Sequence, residues 1–196
     1  MGIAKYEVKN FDHLRGLKGI TDAQIEVHQK LYEGYITNTN KLREAISEMV
    51  KSGKAGSIEY SEMVRRLGWE YNGMRLHELY FQNLAPGGKI ATSSFKSAVE
   101  AAFDGFDNFK IHFFKVASMR GVGWTILYQD PESKNMSVHW ISSHEEGHPA
   151  GFKPILVCDV WEHAWTAYKK PTERPAYLED FWSNCDFSVA EERLIK

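Results

Sequence analysis

CDVWEHAW, residues 158–165, sits where two kinds of sequence meet. Before it, PILVCDVW is a short apolar run rich in β-branched residues, which predicts a buried strand. After it, WEHAWTAYKK predicts a helix. Asp159 therefore stands at a strand end, from which a carboxylate can aim inward. His163 lies four residues on, where the following turn can return an imidazole to the same point. By residue type alone, the pair reads either as a structural ion pair or as part of a metal site.

Working outward, WTILYQD, PESKN and MSVHWIS predict a β-hairpin, so the C-terminal half holds three short strands. Between the second and third lies HEEGH, residues 144–148. It fits H-E-x-x-H, the spacing with which zinc hydrolases hold their metal. That chemistry needs both histidines on one helical face. Gly147, Pro149 and Gly151 break a helix here, and the segment predicts a loop beside the site rather than part of it.

Before Gly123 the pattern is helical. Residues 21–50 keep apolar residues at near-helical spacing, with Thr21 or Asp22 as cap, and SGKAGS (52–57) ends the run. A second helix is predicted from Tyr60 to Asn83, with Gly68 and Gly73 as places to kink or break. LAPGGK (84–89) is a strong breaker. Residues 93–119 read as two helices separated by FDGFDN, and AYLEDFWSN as a last helix. The expected class is α+β. Residues 1–86 form an N-terminal long-helix hairpin, and residues 87–196 an α/β half whose three-stranded antiparallel sheet packs among helices.

The chain has 196 residues, 43% hydrophobic and 13% aromatic, enough for a sizeable core. A net charge of -2 gives no electrostatic basis for nucleic acid or anionic lipid as a partner. Cys158 and Cys185 form no CxxC pair and read as packing residues. The N-terminal MGIAKYEVKNFDHL lacks the apolar core of a secretory signal, and no run reaches membrane-spanning length. A cytoplasmic protein is expected.

D-V-W-E-H-A at 159–164 resembles the signature of the iron/manganese superoxide dismutase family, in which the Asp and the His are both metal ligands. Other segments resemble the family in its order. IEVHQKLYEGYITNTNKL (25–42) is similar to the long first helix and HELYFQNLAPGG (77–88) to the stretch around the second ligand. GVGWTIL (121–127) and RPAYLEDFW (174–182) resemble the opening of the sheet and a segment near the C-terminus. The resemblance implies one iron or manganese ion per chain, held by His28, His77, Asp159 and His163. Three imidazoles, one carboxylate and a solvent suit either metal. It also implies superoxide as substrate and a homodimer. Trp161 would stand beside the metal, and Glu162 would reach the partner's His163.

Three departures bear on activity. The family commonly has an active-site Tyr eight residues after the first ligand, whereas here Tyr32 is at +4 and Tyr35 at +7. At about 100° per residue, +7 points within about 20° of the ligand, and +8 about 80° away. Tyr35 thus faces the metal if the helix lacks a one-residue insertion that the family carries. The rival register puts Val27 on the ligand position. Second, the two places from which the family draws a solvent-binding Gln hold Gly73 and Arg120. Third, Thr166 replaces a gateway Tyr, leaving Tyr32 as the residue around which proton delivery would be rebuilt. A metal-binding relative without dismutase activity, or with another metal–oxygen chemistry, is the rival expectation.

Overall fold

The Thr21 hydroxyl accepts the Gln24 N–H at 3.2 Å, and from there α1 (Asp22–Lys51) runs as a continuous helix. The computed structural model describes residues 4–195. Along α1 the buried positions Ile25, His28, Tyr32, Ile36 and Thr39 repeat every three or four residues, one face of a helix. Ser57 caps α2 (Ile58–Gln82) in the same way, and α2 packs back along α1 as a hairpin.

Gly68 and Gly73 do not break α2. Gly73 is there for space: a Cβ on it would lie 2.6 Å from the Tyr35 ring. The missing side chain lets α1 approach closely and gives Tyr35 its place. Beyond α2, α3 (Ser93–Phe103) and α4 (Phe106–Ala117) are separated only by Asp104 and Gly105, both at positive φ (55° and 125°), a tighter break than FDGFDN suggests. Rings from α3 and α4 pack against those of the C-terminal helices α5 (Arg174–Ser183) and α6 (Phe187–Glu192).

The strands β1 (Gly123–Gln129), β2 (Met136–Ser142) and β3 (Lys153–Asp159) form one antiparallel sheet in the order β2-β1-β3. The central β1 is buried at every position. Trp124 pairs with Ile141 on one side and Asp159 on the other, so β2 and β3 both end near the start of β1. The outer edge of β3 is closed by side chains. The carbonyls of Ile155, Val157 and Asp159 accept from Arg193 (3.2 Å), Asn83 (2.6 Å) and the Tyr177 hydroxyl (2.7 Å). Among the described residues no helix is long and apolar enough to cross a membrane.

One expectation is corrected. WEHAWTAYKK does not form a helix but a 3-10 turn, Glu162–Ala164, followed by further turns. An α-helix would join Ala167 N–H to the His163 carbonyl. Instead the Gln24 carboxamide stands between them: its Nε2 donates to the His163 oxygen (2.6 Å), and its Oε1 accepts from Ala167 N–H (3.0 Å). A side chain inserted into the i to i+4 ladder is a recognised cause of helix interruption.

Candidate metal centre

Four elements converge on one point. His28 comes from α1, His77 from α2, Asp159 from the end of β3 and His163 from the 3-10 turn after it. One potential ligand atom from each lies within 4.8 Å of all the others. The three Nε2 atoms stand 3.0 Å (His28), 3.2 Å (His163) and 3.7 Å (His77) from a single oxygen, Asp159 Oδ2. The other carboxylate oxygen is engaged by the Trp161 N–H at 2.8 Å, which fixes the plane of the group.

Hydrogen bonding sets the protonation of these groups. His77 Nδ1 donates to the Gly73 carbonyl at 2.6 Å. Its Nε2 is then a bare lone pair, and it is buried without a partner. Burial holds His77 well below the ordinary histidine range and also lowers His28, so both rings are neutral. Burial alone would raise the Asp159 carboxyl, but His163 and His28 outweigh it and hold the group far below the usual carboxylate range. Neutral imidazoles and an ionised carboxylate are the forms that bind a cation. An unpaired buried acceptor is costly, and a cation among these atoms would satisfy it.

Around the cluster stand Tyr35, Trp69, Trp124, Trp161 and His144. The Tyr35 ring is 5.1 Å from that of His77, and its hydroxyl is 2.8 Å from His144 Nε2. HEEGH is a turn, closed by paired Ser142 and Glu146. The reading of this turn as lying beside the site needs correcting for one residue: His144 is buried and points inward. Trp124 Nε1 donates to His144 Nδ1 at 3.0 Å. Indole can only donate, so the His144 proton is on Nε2 and is donated to Tyr35. His148 keeps the turn in shape, with its Nε2 donating to the His144 carbonyl (3.0 Å) and its Nδ1 accepting from the Tyr128 hydroxyl (2.7 Å). Burial lowers His144 to about 4 and raises Tyr35 to about 12, so both stay neutral near pH 7.

The remaining predicted residues divide. Trp161 stacks on both His163 (5.7 Å) and His144 (5.1 Å). Glu162 is exposed beside His163. Tyr32 turns away: its hydroxyl donates to Glu78 at 3.0 Å and accepts from Lys9 N–H. Arg120 is exposed in a surface depression with Met119, Val122 and Glu162, apart from the four donors. His144 went unrecognised, although a signal was present. A hairpin followed by a third antiparallel strand brings the residues just after β2 to the same sheet end as Asp159.

An α+β fold with a buried centre of three histidines and one aspartate defines a metal-binding protein with mixed nitrogen and oxygen donors. Comparison with known proteins agrees. Residues 91–193 match the model for the C-terminal domain of iron/manganese superoxide dismutases. The chain is 35% identical to an iron superoxide dismutase of Aquifex pyrophilus, over 100% of this chain and 94% of that protein. It is 32% identical to one of Saccharolobus solfataricus (91% and 85%) and to a manganese/iron enzyme of Aeropyrum pernix (85% and 78%). The chain belongs to the iron/manganese superoxide dismutase family.

Proposed function

We propose that this chain is a superoxide dismutase whose iron or manganese ion is held by His28, His77, Asp159 and His163. The observation that carries this is the convergence of four donors from four elements within 4.8 Å, one of them a buried, unpaired imidazole nitrogen. A redox ion there supplies the one-electron exchange, between divalent and trivalent states, by which superoxide is converted to dioxygen and hydrogen peroxide.

The protein's own groups prepare that exchange. The Tyr35 hydroxyl accepts from His144, so its proton is free to point elsewhere, toward the space beside His77. Tyr35 thus serves as a proton-holding hydroxyl beside the donor cluster. His144 cannot pass a proton outward, because its other nitrogen faces an indole N–H that does not accept. Its role is to orient Tyr35. In this reading the His144–Tyr35 pair takes the part that the sequence left empty at Gly73 and Arg120. Trp124 and Trp161 wall the cluster and exclude bulk water, which strengthens each electrostatic contact inside.

We take residues 1–86 and 87–196 as two domains, each giving two ligands. We further infer a cytoplasmic homodimer in which Glu162 reaches the partner's His163. Supporting it, Glu162 is exposed, the His163 side chain retains 22% of its surface, and Met119 and Val122 lie exposed nearby. Both cysteines are free and buried, which fits a reducing compartment.

The test is elemental analysis with a dismutation assay on wild type and His163→Ala. The expected result is about one iron or manganese per chain, as one such donor set holds one ion, with metal and activity lost in the variant. A metal-loaded wild type that does not dismute superoxide would overturn the proposal.

A further inference from the structure

The sequence T-D-A-Q at 21–24 fits a capping box, in which the fourth residue's side chain returns to the first residue's N–H. Half of the box forms, because Thr21 accepts from Gln24 N–H. The other half does not. Gln24, fully buried, spends both ends of its amide 139 and 143 residues away, on His163 and Ala167.

These two partners are an i to i+4 pair. Before this pair the helical bond is made, Thr166 N–H donating to Glu162 (3.0 Å); after it Tyr168 and Lys169 N–H both donate to the Trp165 carbonyl (3.1 and 2.9 Å), so the ladder resumes only one residue further on. The bond between His163 and Ala167 is the one that Gln24 opens. The amide behaves as an inserted peptide group, donor to one end and acceptor from the other. His28 follows Gln24 by one turn of α1, so the same helix holds one imidazole and the backbone of another.

We propose that Gln24 is a positioning residue for the metal centre: by holding the turn open it sets the angle at which His163 approaches. This rests on His163 being a ligand. Without the amide, the His163 carbonyl and Ala167 N–H would bond directly, the turn would wind further into a helix, and the imidazole would turn with its backbone.

The experiment uses the metal-loaded enzyme. Gln24→Met keeps the side chain's bulk but neither donates nor accepts. Gln24→Glu keeps the acceptor for Ala167 but sets a carboxylate oxygen against the His163 carbonyl. Metal release to excess chelator is expected to be about 10-fold faster or more in both, the usual scale for losing a group that orients a ligand. The absorption bands of the bound ion should shift as well. A group that merely fastens the fold would lower the melting temperature and leave these two readouts alone. Release within about twofold of wild type, well short of the 10-fold scale, with unchanged bands overturns the proposal. If Gln24→Met does not fold, Gln24→Glu carries the same two readouts. His163→Ala separates the two failures. If that variant holds metal like wild type, the ligand assignment falls. If it loses metal while Gln24→Met releases normally, only the positioning role falls.

Discussion

Stripped of metal by a chelator, the chain should lose stability in mild acid, and His144 should carry a separable part of the loss. Burial lowers this imidazole from 6.5 to about 4 in the folded protein. In the unfolded chain it titrates near the ordinary value. Between the two values the unfolded state binds more protons, so stability rises with pH across that window. The contribution is complete above about 6.5 and is lost as pH falls toward 4. At 1.36 kcal/mol per pH unit, the gap corresponds to about 3 kcal/mol. His28 and His77, also lowered by burial, act in the same direction. Replacing His144 by Gln isolates one term, since an amide can accept from Trp124 and donate to Tyr35 but does not titrate. Urea unfolding of both proteins from about pH 7.5 to about pH 4.5 measures the difference. The stability gap between wild type and His144→Gln should shift by about 2.5 kcal/mol across that range, the part of the full contribution lost by about pH 4.5, in favour of the variant. A gap that stays constant, or a variant that is the more acid-sensitive, would refute the reasoning.

Other substitutions test other parts of the structure. Gly73→Ala puts a Cβ 2.6 Å from the Tyr35 ring; it should cost about 1–3 kcal/mol of stability and depress dismutation, both read against wild type. Arg193→Met removes donors to Ile155, Leu79, Gln82 and Asn83, and should cost about 2–4 kcal/mol in denaturant unfolding while metal content per folded chain is unchanged. Tyr177→Phe leaves the Asp159 carbonyl only the weak Cys158 thiol as donor, a loss of about 1–3 kcal/mol that thermal unfolding would show.

How much could be read in advance depended on whether the deciding contact was local. The long helices and three strands follow from hydrophobic period and turn residues, both properties of a few neighbouring positions. The break at Asp104 and Gly105 is likewise written in the chain. Asp159 and His163 stand in one motif, but His28 and His77 have no spacing rule tying them to it, and only the family resemblance nominated them. Gly73 was misread as a weak point of α2 because its reason, the ring of Tyr35, lies on another helix. The false helix after Trp161 has the same origin: Gln24, far off in sequence, opens it. HEEGH was legible as a turn from Gly147 and Pro149, yet the destination of His144 depends on which end of the sheet the turn leaves. Tyr32 shows the converse. In sequence it stands as the residue around which proton delivery would be rebuilt, and a buried Glu78 with Lys9 draws its hydroxyl elsewhere.

The side chains along β3 have a consequence for solubility. A bare sheet edge offers a row of carbonyls and amides to which a strand from another molecule can pair. Here Arg193, Asn83 and Tyr177 occupy alternate carbonyls of that edge, so an incoming strand would have to displace three donors before gaining its first bonds. Two of the three come from segments joined to the sheet late in the chain, α5 and the turn after α6. Loss of those segments, by proteolysis or premature termination, would therefore do more than shorten the protein. It would uncover a template for aggregation on the very strand that delivers Asp159.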